Sequence, residues 1–109
     1  MVIMTVRDFQ GRLIKLTSEQ WNNDVLLQHS YMAGMEQVVR ETLEDPEEVR
    51  KSVSFPDTSR LYYKWYTGTV RGDRWVCVVV KVLKDEAFIS TAYTTDRIIQ
   101  GELIWRKES

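Results

Sequence analysis

Arg74 to Asp96 reads RWVCVVVKVLKDEAFISTAYTTD: a run rich in valine, a short polar break, then a second and more polar run. A strand sends alternate side chains to opposite faces. Val76, Val78, Val80 and Val82 therefore share one face, and Cys77, Val79 and Lys81 share the other. Apolar residues on both faces mean that both are at least partly covered. In the second run Phe88, Ser90 and Ala92 fall on one face and Ile89, Thr91 and Tyr93 on the opposite one. The stretch predicts the central hairpin of an antiparallel sheet. Small hydroxyls this close to the centre point to something bound nearby, although Thr and Tyr are also ordinary strand formers.

Working back from the hairpin, Arg60 to Thr67 alternates as a strand, with Tyr62, Lys64 and Tyr66 opposing Leu61, Tyr63 and Trp65. Pro56-Asp57 supplies the preceding turn. Before it, Glu48 to Phe55 reads as a strand with Val49, Val53 and Phe55 on one face and Arg50, Ser52 and Ser54 on the other. Asp45-Pro46 ends a helix predicted over Met35 to Glu44, because the residue before proline disfavours helical geometry. Gly34 breaks that helix from an earlier one over 18–30. The earlier helix has a sharp start: Thr17 and Gln20 have capping-box spacing, and Leu16 with Trp21 occupies the positions of a hydrophobic staple. His29 lies near its end, at the margin of the apolar stripe formed by Trp21, Val25, Leu26 and Leu27. Gly11 to Leu16 reads as a first strand, and residues 1–10 carry no strong pattern. After the hairpin, Ile98-Ile99 and Glu102 to Trp105 predict a closing turn or short strand. The expected architecture is a single α+β domain over residues 1–109, with an N-terminal strand and two helices packed on one face of a four-stranded (or larger) antiparallel sheet.

A length of 109 residues suits one core, and 43% hydrophobic residues with four Trp, five Tyr and three Phe describe a globular chain. No apolar run approaches the roughly 18 residues that span a bilayer, and no signal-peptide pattern opens the sequence, which predicts a cytoplasmic protein without membrane attachment. One cysteine, Cys77, excludes an internal disulfide; its place among valines predicts a core residue. A lone His29 and a lone Cys77 cannot build a closed metal site, so neither a metal nor another cofactor is expected. The net charge of −1 conceals a division. Residues 36–48 hold six acids and one base, a local charge of −5, whereas 50–84 hold eight bases and two acids, a local charge of +6. Such polarity can focus an anionic ligand, or can simply be solvated surface.

The segments LTSEQW, DVLLQHSYMAG, VRETLEDPEEVRKS, LYYKWY, WVCVVVKV, FISTAYTTDRI and GELIW, taken in order, resemble the phage-associated barnase/EndoU/colicin/RelE-like nucleases across residues 12–105. The resemblance implies a RelE/barnase-like fold and metal-independent cleavage of RNA in a toxin-like or phage-related setting, with a neutralising antitoxin or immunity protein as a partner besides RNA. Two positions depart from the family's pattern: Asp24 stands where a second histidine is common, and Ser30 where a proline often follows the helix-end histidine.

Cleaving RNA without a metal requires a base for the 2′-hydroxyl, an acid for the leaving oxygen and cations on the phosphate. His29 is the one side chain whose ordinary pKa lies near neutrality. Arg50 suits a bidentate phosphate contact and Lys64 a point charge. With Thr91 as a phosphate-orienting hydroxyl, these four form the expected catalytic set. Ser52, Ser90, Tyr62 and Tyr93 form the expected substrate-binding set, the tyrosines by stacking on bases. Against each stands a simpler role: a surface or capping histidine, solvated sheet charges, tyrosines packed in a core. The competing function is a catalytically inactive RNA- or protein-binding module, which the acidic pI, single histidine and Trp-rich composition favour.

Overall fold

The computed structural model describes residues 1–98 and 101–108. Seven strands make one sheet: β1 (Val2–Arg7), β2 (Leu13–Thr17), β3 (Glu48–Lys51), β4 (Ser59–Thr69), β5 (Gly72–Val82), β6 (Ala87–Thr95) and β7 (Leu103–Arg106). Their order is β1-β2-β6-β5-β4-β3-β7. β5, the valine run, has three strands on either side, and both of its faces are covered: Val76, Val78 and Val80 join the core and Cys77 is buried on the opposite face. All neighbours are antiparallel except β2 and β6, which run parallel and pair through Lys15 and Phe88.

This overturns the expected RelE/barnase-like α+β layout of helices over a four-stranded antiparallel sheet. The sheet is mixed and seven-stranded, and strand accounts for 47% of the described residues against 20% for helix. β1 gives no alternation in the sequence because it is an edge strand: Val6 is buried and Met4 partly so, while Val2, Ile3 and Thr5 face solvent. β3 ends at Lys51 and not at Phe55, for Ser52 N–H already bonds Ser59 O (3.0 Å) and Phe55 N–H turns back to Ser52 Oγ (3.2 Å). Val53 and Phe55 are consequently exposed. The closing strand is β7; Ile99 lies outside the described residues.

Between β2 and β3 come a π-helical segment (Gln20–Leu26), a 3₁₀ turn (Ser30–Met32) and α1 (Glu36–Glu44). The capping box forms as its spacing requires, Gln20 N–H to Thr17 Oγ1 at 3.1 Å and Thr17 N–H to Gln20 Oε1 at 3.2 Å. The turns behind it then widen, with Leu27 N–H reaching Asn22 O five residues back. The helix accordingly stops short of the expected residue 30, while α1 matches its expected span within a residue.

The helical segments cover one face of the sheet. Val25, Met32, Val39 and Leu43 pack there on Ile14, Leu16, Val49, Tyr62, Val76, Val78 and Val80. Ile89 and Ala92 both join this core, although strict alternation sets them apart. Val79 is paired with Thr91 but Val80 with Ile89, so Ser90 is the extra residue of a β-bulge that resets the phase. On the other face, Glu48, Tyr63, Cys77 and Tyr93 form one cross-strand row. Tyr63 and Cys77 are fully buried, and burial raises the Cys77 thiol to about 12, leaving it inert at neutral pH. The chain returns beside Arg50, where Gly101 O accepts Arg50 Nη1 at 2.9 Å and Glu102 O accepts Lys51 N–H at 2.9 Å. Gly101 has a positive φ of 154°, and a Cβ there would strike the Lys51 carbonyl oxygen. No helix among the described residues is long and apolar enough to cross a membrane.

One buried carboxylate joins the N-terminal hairpin to the sheet. Asp8 accepts the N–H groups of Gln10 (3.0 Å) and Arg12 (2.8 Å) on Oδ1 and the Tyr62 hydroxyl (2.6 Å) on Oδ2. Asp8→Ala removes the acceptor of all three donors, the buried Tyr62 hydroxyl among them, and is expected to cost about 3 kcal/mol. Arg12→Ala, which removes a half-exposed guanidinium 3.9 Å from that carboxylate, is expected to cost under about 1 kcal/mol. Urea unfolding of the two variants checks the difference.

Candidate functional site

β6 is flanked by strands on both sides only near its start, where Lys15 of β2 meets Phe88. Further along, its outer edge meets the π-helical segment and the 3₁₀ turn. Backbone groups at such an edge need partners, and side chains supply them. Thr94 N–H donates to Tyr31 Oη at 3.2 Å, and Thr91 Oγ1 donates to Asp24 O at 2.8 Å. His29 N–H closes the helix on Val25 O (2.7 Å), and the residue then leaves helical geometry at φ −135° and ψ 65°. This turn brings Tyr31 back against β6.

The result is a cluster drawn from three separate parts of the chain. His29 Nδ1 lies 3.2 Å from Tyr31 Oη. The His29 ring lies 5.5 Å from the Tyr93 ring, tilted by 35°. Arg71, in the turn between β4 and β5, places its guanidinium carbon 4.8 Å from the centre of the Tyr31 ring, within cation–π range. Its Nη1 donates to Thr94 O (3.3 Å) and Thr94 Oγ1 (3.4 Å). Arg71 is exposed, while His29, Tyr31 and Tyr93 are half-buried.

Burial and then the positive charge of Arg71 hold His29 below its ordinary value of 6.5, so the imidazole is neutral at pH 7. Burial, together with Cys77, pushes the Tyr93 hydroxyl up, so it stays protonated. The Tyr31 oxygen has two lone pairs, one of which takes Thr94 N–H. If His29 Nδ1–H donates to the other, Nε2 is left as a proton acceptor and the Tyr31 proton is available to a ligand. In the other tautomer Tyr31 donates to Nδ1. The first is the arrangement that a general base needs.

Of the expected site residues, His29 and Tyr93 come together at the β6 edge; Ser90 is the bulge residue of the same strand, and Thr91 spends its hydroxyl on the helix backbone. The other expected site residues lie elsewhere. Arg50 shares a cross-strand row with Leu61, Val79 and Thr91, three strand spacings or roughly 14 Å from Thr91. Its Nε (2.9 Å) and Nη2 (2.8 Å) bind Glu48, and its third nitrogen holds Gly101 O. Lys64 points to the helix side and binds Asp45 O (2.9 Å) and Oδ2 (3.1 Å), fastening the end of α1 with Lys107. Tyr62 is buried with its hydroxyl on Asp8, which leaves its ring no face for a base. Ser52 serves the loop after β3.

Tyr31 and Arg71 are the cluster members that the sequence reading did not select. Tyr31 stands two residues from His29, but Arg71 reaches it from forty positions away, and no local pattern announces that contact. Among the described residues no group of three or more His, Cys, Asp or Glu is placed to hold a metal ion. Comparison of the chain with protein-family models, curated proteins and solved structures gives no match.

Tyr31→Phe keeps the ring under Arg71 but removes the atom shared by Thr94 and His29. The expected outcome is about 1 kcal/mol of lost stability, together with altered imidazole ¹⁵N shifts for His29 as its Nδ1 loses its partner. Unchanged shifts would show that the 3.2 Å contact does not orient the ring.

Proposed function

We propose that the chain is a small metal-independent endoribonuclease whose site is the His29, Tyr31 and Arg71 cluster at the outer edge of β6. The observation that carries this reading is a histidine held neutral, bonded to a tyrosine hydroxyl and adjoined by an exposed guanidinium. His29 Nε2 takes the proton of a ribose 2′-hydroxyl, and the 2′-oxygen attacks the adjacent phosphorus. The bond from phosphorus to the 5′-oxygen breaks, giving a 2′,3′-cyclic phosphate and a 5′-hydroxyl, with the 5′-oxygen taking a proton from water. Arg71 holds the phosphate by charge-assisted hydrogen bonds, Tyr31 orients His29, and the Tyr93 ring sits beside the imidazole where a base can lie. A toxin-like setting and a neutralising protein partner belong to the same proposal, as the resemblance implies. The second reading, a catalytically silent RNA- or protein-binding module, draws on Arg50 and Lys64 being engaged in internal ion pairs.

Pure protein incubated with mixed RNA in excess chelator separates the two. The proposal expects cleavage that falls about 100-fold or more in His29→Ala and about as much in Arg71→Ala, while Arg40→Glu, on α1 beside Glu44, stays within about twofold. RNA left intact under all conditions, or equal cleavage by His29→Ala, leaves the binding module.

The pH profile adds a sign. The active form is the unprotonated imidazole, so the rate rises with pH through the folded-state pKa and then levels. Because that pKa is lowered, the midpoint is expected below 6.5. Arg71 is one cause of the lowering, so the residual activity of Arg71→Ala is expected to show a midpoint shifted upward.

A further inference from the structure

We infer that the cavity between the β1–β2 turn, β4 and β7 binds a small organic monocarboxylate whose body is a single ring or a short branched chain. The cavity is separate from the cluster at the β6 edge: β5 lies between β4 and β6, and neither His29 nor Arg71 lines it. It has a volume of about 160 Å³, and an apolar cavity of roughly 150 Å³ takes up one benzene ring.

The apolar walls are Phe9, Val49, Tyr62 and Ile104, and packing holds them in place. Phe9 stands between two other rings, with its centre 4.4 Å from that of Trp105 and 6.1 Å from that of Tyr62, which it meets edge-on at 76°. Val49 and Tyr62 belong to the buried core. Walls already fixed in this way receive an apolar body without the cost of ordering side chains around it.

The charged rim chooses the head group. Arg12 and Arg60 line the cavity and no acid does. Asp8 stands behind Tyr62 with its side chain fully buried and both oxygens taken by Gln10 N–H, Arg12 N–H and the Tyr62 hydroxyl. Arg12 Nη1 is 3.9 Å from Asp8 Oδ2, a charge contact too long to be a hydrogen bond. The Arg12 guanidinium also lies beside the Tyr62 hydroxyl, where it opposes the upward push of burial and of Asp8. Arg60 Nη1 donates to Pro56 O at 2.9 Å and Ser59 O at 3.4 Å, and Arg60 forms no ion pair with a carboxylate among the described residues. Two guanidiniums against one buried carboxylate leave a single positive charge uncompensated, which suits a monoanion. A carboxylate matches the planar guanidinium fork with its two oxygens and directs its apolar body onto the walls. Inorganic phosphate suits the rim but leaves the walls uncovered.

The test is an amide titration of the ¹⁵N-labelled chain at pH 7 and constant ionic strength with benzoate, neutral benzamide, acetate and inorganic phosphate. The inference expects saturable benzoate shifts centred on Gln10, Arg12, Tyr62 and Ile104, with an affinity at least about tenfold above those of the other three. Arg60→Gln should weaken benzoate by about tenfold or more, and Arg60→Lys, which keeps the charge but not the fork, should restore only part of the loss. Arg12→Gln changes a half-exposed side chain and leaves the fold standing even if the Arg60 variants do not fold; it too should weaken benzoate by about tenfold. The same head group ends a peptide with an apolar last residue, so an acetylated tripeptide ending in leucine is run beside isovalerate. Saturable binding of either supports the monocarboxylate class, and the tighter of the two names its source. Benzamide or acetate binding as tightly as benzoate, or benzoate affinity unchanged in Arg12→Gln, overturns the inference. So does phosphate binding as tightly, which would show a site for an adventitious ion only.

Discussion

Much of this structure follows from the half-open edge of β6. β2 runs parallel to β6 and meets it at Lys15 and Phe88, so the strand beyond that point has backbone groups that no neighbouring strand takes up. A strand edge left in that state is a liability for a folded chain. The helical segments cover it, and they do so with specific atoms: Tyr31 Oη on Thr94 N–H and Asp24 O on the Thr91 hydroxyl. Tyr31 can reach Thr94 because the chain turns at His29. The same hydrogen bond that satisfies the sheet therefore sets an imidazole beside Tyr93, and Arg71 closes the group from the β4–β5 turn. Scaffold and candidate site share these atoms.

The segregation of charge along the sequence is largely consumed within the fold. The acidic block and the basic block pair with each other: Glu48 with Arg50 within β3, and Asp45 after α1 with Lys64 of β4. The pair of Glu48 and Arg50 is only 15% and 21% exposed; with Gly101 O on the same guanidinium it fixes the approach to β7. The pair of Asp45 and Lys64 holds α1 against β4, where Tyr66 also donates to Glu41 at 2.7 Å. What reads as an anion-focusing surface is in good part a set of internal fasteners. Arg71 differs in its use, since it lies over an aromatic ring and binds Thr94 through one amino group while its side chain remains exposed.

The strongest local signals were legible from residues alone. The valine run of β5 stands at the middle of the sheet, the capping box of Thr17 and Gln20 forms both of its bonds, and Leu16 and Trp21 are both buried as a staple requires. The features missed are those decided by tertiary context. β1 buries too little for alternation to show. The bulge at Ser90 puts Ile89 and Ala92 on one face, which a strict two-residue period cannot anticipate. The wide turns after Gln20 change the helical phase, so the position of His29 on a regular α-helix does not describe where it points. The parallel contact of β2 with β6 joins strands about seventy residues apart. In the candidate site, His29, Thr91 and Tyr93 could be chosen because histidine titrates near neutrality and small hydroxyls sat near the sheet centre. Arg50 and Lys64 stand out by charge, and charge does not reveal that an acid two or nineteen positions away is already the partner.

The most direct measurement is a titration of ¹⁵N-labelled protein with a 2′-O-methyl uridine dinucleotide at pH 7, followed by amide and imidazole resonances. The account predicts that the largest shifts fall on His29, Tyr31, Arg71 and Thr94, with Arg50 and Lys64 unmoved in their ion pairs. Shifts centred on Arg50 and Lys64, or none at the β6 edge, would contradict it.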